Sequence, residues 1–133
     1  MPILGVQEMT VIREAEARRS ETPSGVMTTF ASPTQGGASR SLWRVDARPG
    51  AVGPVHDFDC EQVWTWLDGA AVVELGEERF EVGAGDTVVM PARTVRRVLA
   101  DPRSGYSAVV TAPGEAKAFT ADGTEFGVPP WIA

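Results

Sequence analysis

The segments GAVGPVHDFDCEQVWTWLDG, residues 50–69, and GDTVVMPARTVRRVLA, residues 85–100, carry the strongest structural signal in the chain. Each contains a short run of β-prone residues that is closed by glycine or proline. In the first segment, Gln62, Trp64 and Trp66 occupy alternate positions, so their side chains point to the same face of an extended strand. This pattern predicts a strand with one face turned toward a core.

The same rhythm continues on both sides of these segments. Short β-prone runs lie at 63–67, 70–75, 79–82, 87–90, 95–99 and 106–110. A strand is also expected at 41–47, and a shorter β-prone segment at 26–30. The pair Asp68-Gly69 is interpreted as a turn between two of the strands. Short strands at this spacing are typical of a sandwich or barrel, and we predict an all-β fold with little helix.

The composition limits the size of the fold and the classes of partner. A chain of 133 residues is long enough for one domain and too short for two ordinary ones. Its formal net charge of −6 argues against nucleic acid and anionic membranes as partners. Because no apolar run is long enough for a membrane span or a signal peptide, we expect no membrane contact and a cytoplasmic location.

Cysteine and histidine are each used once, at Cys60 and His56. One cysteine cannot form a disulfide within the chain. One histidine and one cysteine cannot assemble a structural zinc cluster. The sequence therefore predicts a fold that is held together without covalent or zinc cross-links.

The spacing of residues in the first segment matches a known motif. Gly50 is followed after five residues by His56, then by Phe58, Gln62 and Gly69 at intervals of one, three and six residues. This spacing is similar to that of the first motif of the cupin family, small β-barrels of the jelly-roll type. The family has a second histidine where this chain has Phe58, and an acidic residue where it has Gln62.

The second segment resembles the second cupin motif. Gly85 is followed after five residues by Pro91, and Arg93, Arg96 and Ala100 stand where the family has glycine, histidine and asparagine. The intervening 15 residues hold one expected hairpin, which is the compact arrangement usual in bacterial members. By this resemblance the chain is identified as a small single-domain bacterial cupin with replaced metal-ligand histidines.

The resemblance implies a division of the chain and an oligomeric state. Residues 41–112 would form the cupin barrel, and residues 113–133 a tail that packs on it. Residues 1–40 would form an N-terminal extension with an edge or dimer-crossing strand, for which 26–30 is the candidate. Since small cupins commonly pair through their sheets, we expect a homodimer.

Strand alternation in a closed barrel predicts the residues that face its cavity. The expected catalytic residues are His56 and Arg96. The expected substrate-binding residues are Phe58, Gln62, Trp64, Trp66 and Met90. The resulting cavity would be apolar and aromatic with three polar groups, and its ligand would be a small molecule.

The metal positions of the family map onto His56, Phe58, Gln62 and Arg96. Phe58 cannot ligate a metal, and Arg96 would place a positive charge where the cation should sit. His56 and Gln62 alone are one ligand short of the usual three. We therefore expect no cofactor, although a bulge that brings an aspartate or Cys60 inward could complete a divalent metal site.

Three functions remain open at this point. The first is a metal-independent isomerase, epimerase or cyclase acting on a small organic acid, a sugar or a polyketide-like compound. In it, His56 would move a proton next to a carbonyl and Arg96 would stabilise the oxyanion. The second is a non-catalytic ligand-binding or sensor module, in which His56 only hydrogen-bonds a neighbour such as Gln62. The third is a divalent-metal-dependent dioxygenase or decarboxylase with a degenerate ligand set.

Overall fold

A computed structural model describes residues 9–133, so the first eight residues of the expected N-terminal extension lie outside the described part. Apart from one turn of 3₁₀ helix at Glu14–Glu16, the regular structure is β. The eleven strands are β1 Arg18–Thr22, β2 Gly25–Ala31, β3 Arg40–Ala47, β4 His56–Phe58, β5 Gln62–Leu75, β6 Glu78–Gly83, β7 Thr87–Met90, β8 Arg96–Ala100, β9 Tyr106–Pro113, β10 Ala118–Thr120 and β11 Glu125–Gly127. The all-β prediction is confirmed.

Strand β5 joins the two halves of the fold. The strands follow the order β1-β2-β3-β9-β5-β8-β4-β10-β11, and β6 and β7 also pair with β5. The first half of β5 pairs with β7 and β9, and its second half pairs with β6 and β8. All of these pairs are antiparallel. Because one long strand serves both halves, the sheet curls around a common interior.

The prediction of a turn at Asp68-Gly69 is wrong. The backbone continues through both residues as one strand, and the register against β9 shifts between Trp66 and Asp68. Gly69 has a φ of 75°, which few residues with a side chain adopt, and a Cβ at this position would meet the carbonyl oxygen of Gly105. The glycine therefore permits a β-bulge within a continuous strand. Such a bulge favours glycine for the same reason that a turn does, so the two look alike in the sequence.

The bulge changes which positions of β5 face the interior. Before it, the even-numbered residues Gln62, Trp64 and Trp66 are buried, whereas after it the odd-numbered Ala71 and Val73 are buried. The extra residue of the bulge shifts the alternation by one position, so that side chains of the second half of the strand also point to the interior. The inward face expected for Gln62, Trp64 and Trp66 is therefore confirmed.

Both ends of the described chain join the barrel. The candidate edge strand lies within β2, which is paired on one side with β1 and on the other with β3, so that β1 is the outer strand. At the other end, Ile132 is fully buried, and the Thr29 hydroxyl donates to the Trp131 carbonyl oxygen at 2.7 Å. No helix among the described residues is both long and apolar enough to cross a membrane.

The bulge yields a test of what stabilises the curled sheet. Gly69→Ala should lower the free energy of unfolding by about 3 kcal/mol or more, since it combines a strained φ with a backbone clash. Gly85→Ala is the matched control, because Gly85 has a φ of 91° but no atom within 4 Å of an added Cβ. Its cost should be about 1 kcal/mol. Denaturant titration compares the two, and equal losses would contradict the close contact at Gly69.

Candidate functional site

A cavity of about 470 Å³ opens into the interior of the barrel. Strands β4 and β5 form one part of its wall, the turn 22–25 and the loop 51–55 form a second, and residues from 118–131 form a third. Among the described residues that line it, none is aspartate, glutamate, lysine or arginine. The cavity is therefore an apolar space whose polar groups are few.

The seven site residues expected from the sequence divide into two groups. Four line the cavity: His56, Phe58, Gln62 and Trp64. Three are buried and are not part of its wall: Trp66, Met90 and Arg96. The structure thus brings the histidine, the amide and two aromatic rings to the cavity, and it leaves the guanidinium behind the wall.

His56 begins β4, immediately after Pro54 and Val55, and it pairs across the strands with Arg96. Its Nδ1 lies 2.8 Å from the Pro54 carbonyl oxygen. Since a carbonyl only accepts, Nδ1 carries the proton and Nε2 of the neutral ring has a free lone pair. Burial lowers the pKa of His56 below 6.5, and the nearby charge of Arg96 adds to that effect. At neutral pH the ring is therefore an unprotonated base.

Arg96 is 2% exposed, and all of its nitrogens face protein oxygens. Nε donates to the Thr94 carbonyl and Nη2 to the Pro91 carbonyl, each at 2.9 Å. Nη1 makes a longer contact of 3.5 Å to Gln62 Oε1. Burial lowers its pKa to about 10, so the group remains charged at neutral pH. Arg96 does not line the cavity, whereas Gln62 and Phe58, which its guanidinium contacts, do.

The carboxylate that acts most strongly on Arg96 is Asp57. Asp57 is itself paired with Arg93, whose Nε lies 2.8 Å from Oδ1. The Arg93 guanidinium also covers the ring of Phe119 at 4.0 Å, and Arg93 has a φ of 55°. Arg93 thus links Asp57 of β4 to Phe119 of β10. Among residues 9–133, no carboxylate forms a salt bridge with Arg96 alone.

Gln62 is 1% exposed and contributes to the cavity wall. Its Oε1 accepts a hydrogen bond from Trp64 Nε1 at 3.0 Å, in addition to the longer contact from Arg96. Its Nε2 has no hydrogen-bond partner among residues 9–133. The amide is thus held by its oxygen, and its two N–H groups are unused.

The residues at the four metal positions of the family do not fit a metal. The oxygen that Gln62 would offer already accepts from Trp64, and the charged guanidinium of Arg96 lies beside it. Burial raises the pKa of the Cys60 thiol to about 11, and the thiol donates to Asp59 Oδ1 at 3.3 Å. Within 9–133 no three histidine, cysteine or acidic side chains come together as a possible ligand group.

Several residues of the cavity wall were not singled out from the sequence. Trp43 and Tyr106 line the cavity from β3 and β9, and strand alternation could have identified both. Phe119, Phe126 and Trp131 line it from the C-terminal region. No periodic pattern marks those three, since irregular chain and short strands bring them over the barrel.

The comparisons with known proteins concern the fold. No known family description and no curated protein matches the sequence. The solved structure of the polyketide cyclase RemF from Streptomyces resistomycificus matches with a TM-score of 0.70 at 18% identity, over 82% of each chain. KdgF from Halomonas sp. matches with a TM-score of 0.66 at 21% identity, over 80% of this chain and 94% of that one.

An RmlC-like cupin from Shewanella frigidimarina matches with a TM-score of 0.66 at 16% identity, over 80% of this chain and 93% of that one. At these identities the likeness establishes the fold alone. The curled antiparallel sheet, its interior cavity and these matches agree. The chain therefore folds as a small cupin domain, a β-barrel of the jelly-roll type.

Proposed function

We propose that this protein binds a small apolar molecule in the barrel and moves a proton on it without a metal, as an isomerase or cyclase would. The observation that carries this proposal is the state of His56. Its Nδ1 is committed to Pro54, its pKa is lowered by burial, and the ring lines an apolar cavity. A neutral imidazole with a free Nε2 is the group required for proton abstraction at neutral pH.

The lining of the cavity favours one of the three expected substrate classes. A sugar needs several hydrogen-bond partners, and a small organic acid needs a cation that faces the ligand. The described wall has few polar groups and no arginine or lysine. Trp43, Trp64 and Tyr106 offer flat apolar surface instead. A polyketide-like or other planar ketone fits best, and the similar fold of a polyketide cyclase supports this choice.

The proton transfer can be written from groups that the chain supplies. His56 Nε2 takes a proton from a carbon next to the carbonyl; the electron pair of the broken C–H bond forms the C=C bond of an enolate, and the π pair of the carbonyl moves onto its oxygen. The imidazolium then returns the proton to a different carbon. Alternatively, the enolate carbon attacks a second carbonyl within the same molecule, and the imidazolium gives its proton to the alkoxide that forms there. The first outcome is an isomerisation and the second a cyclisation, and neither consumes a co-reactant.

A second candidate is a carrier or sensor that binds the same molecule and leaves it unchanged. The observation that favours it is that the described wall offers no aspartate, glutamate, lysine or arginine to act with His56 as a second acid or base. Replacing His56 separates the candidates, since a catalyst keeps binding and loses turnover.

The proton transfer is testable with β-tetralone, an uncharged bicyclic ketone with exchangeable protons beside its carbonyl. In heavy water the protein should accelerate the loss of those proton signals from the NMR spectrum, and His56→Gln should reduce the acceleration by about a hundredfold. Thr65→Val, on the outer face of β5, is the control and should retain the full rate. Equal rates for the wild type and His56→Gln would exclude His56 as the base.

The pH profile of this exchange follows from the lowered pKa of His56. Only the neutral ring accepts a proton, so the rate should rise with pH and level off. The midpoint should lie below 6.5, because burial favours the neutral form. Rates measured across the acidic range test this, and a midpoint above 6.5 would mean that the ring is solvated or paired with an acid during turnover.

Metal independence has its own test. Dialysis against a chelator, followed by separate addition of zinc, iron(II) or manganese, should leave the exchange rate unchanged. The reason is that Gln62 Oε1 is already engaged and Arg96 repels a cation beside it. A rate that falls with the chelator and returns with one metal would contradict the metal-free proposal.

A further inference from the structure

The side-chain amide nitrogen of Gln62 is a buried donor without a partner. Gln62 is 1% exposed, and Nε2 finds no acceptor among residues 9–133. Burying such a group without a hydrogen bond is unfavourable, and folded proteins rarely leave one in this state. Gln62 as a residue contributes to the cavity wall, so a molecule in the cavity is the candidate partner for this donor.

The orientation of the amide follows from its neighbours. Trp64 Nε1 and Arg96 Nη1 are both donors, and both face the same atom of Gln62. An indole nitrogen and a guanidinium cannot accept, so the atom facing them must be the oxygen. Exchanging the oxygen and nitrogen would bring three donors together. The free N–H groups and the occupied Oε1 are thus a consequence of chemistry, and the absent partner must be an acceptor.

The charge behind the amide strengthens it as a donor. Arg96 stays protonated at neutral pH and contacts Oε1 rather than the cavity, and among residues 9–133 the carboxylate that acts on it, Asp57, is paired with Arg93. A positive charge at the oxygen end of an amide draws electron density away from its N–H bonds. The amide therefore binds a partially negative oxygen better than a neutral one, and Arg96 is a positioning residue that acts through Gln62.

We propose that Gln62 selects ligands by their carbonyl oxygen and holds that oxygen while it becomes an enolate. The ligand class is an uncharged, largely apolar ketone, and a hydrocarbon of the same shape is discriminated against. This inference rests on the proposed use of the barrel cavity as the ligand site, and it assigns the group that binds the carbonyl oxygen of the ligand. Gln62 is then a catalytic residue that lines the same cavity as His56.

The experiment compares β-tetralone with tetralin, which has the same rings and no carbonyl. The wild-type protein should bind the ketone about tenfold more tightly, the difference expected when a buried donor gains an acceptor. In proton–nitrogen NMR spectra, the ketone should shift the side-chain amide signals of Gln62, and tetralin should leave them in place. Movement of the Trp64 indole signal reports that both compounds occupy the cavity.

Two substitutions at Gln62 provide matched variants. Gln62→Glu keeps an oxygen toward Trp64 and Arg96 but presents no N–H group, so ketone affinity should fall about tenfold and tetralin affinity should not. Gln62→Met fills the same space without polar atoms and should bind the two compounds equally. If the glutamate variant fails to fold, the methionine variant alone carries the comparison. Thermal melts of both variants check the fold.

The outcomes are separable from those of the proposed function. A ketone preference that survives in Gln62→Met, or Gln62 amide signals that do not respond to the ketone, would overturn the inference and leave an ordered water as the partner of the amide. A preference that persists in His56→Gln supports the inference, because binding needs no base. Absence of proton exchange with an intact ketone preference would reject the proposed activity and retain the role of Gln62.

Discussion

Strand β5 is the constraint on which the other features of this molecule depend. It pairs with four strands along its length, and the bulge before Gly69 lets one strand serve both halves of the sheet. Without a side chain, Gly69 allows the backbone of Gly105 to approach closely. That approach keeps β5 paired with β9 through the bulge, and the same strand presents Gln62 and Trp64 to the cavity.

A buried positive charge shapes the chemistry of the cavity without entering it. Arg96 is bonded to two backbone carbonyls and touches Gln62, and no carboxylate within the described part neutralises it alone. Such a group is costly to bury, and it acts on two residues of the cavity wall. It adds to the effect of burial that lowers the pKa of His56, and together with Trp64 Nε1 it contacts the oxygen of Gln62.

The apolar wall makes these few polar groups effective. In a space with little water, a hydrogen bond to a developing negative charge is stronger than in solvent, and an unpaired donor is correspondingly costly. In the proposed function, His56 and Gln62 discriminate between ligands by their oxygen atoms, whereas the aromatic residues contribute mainly contact area. The proposed proton transfer on a planar ketone uses both properties.

Local pattern determined much of this protein. Alternation in the first half of β5 identified Gln62, Trp64 and Trp66 as inward-facing, and the resemblance to cupins predicted the fold. Four of the seven expected site residues line the cavity. What the chain order could not decide was whether Asp68-Gly69 turns or bulges, since both need a glycine with positive φ. Nor could it decide that Arg96 lies behind Gln62, or that the C-terminal aromatics cover the cavity. Those features depend on contacts between residues far apart in sequence, and only the tertiary structure establishes them.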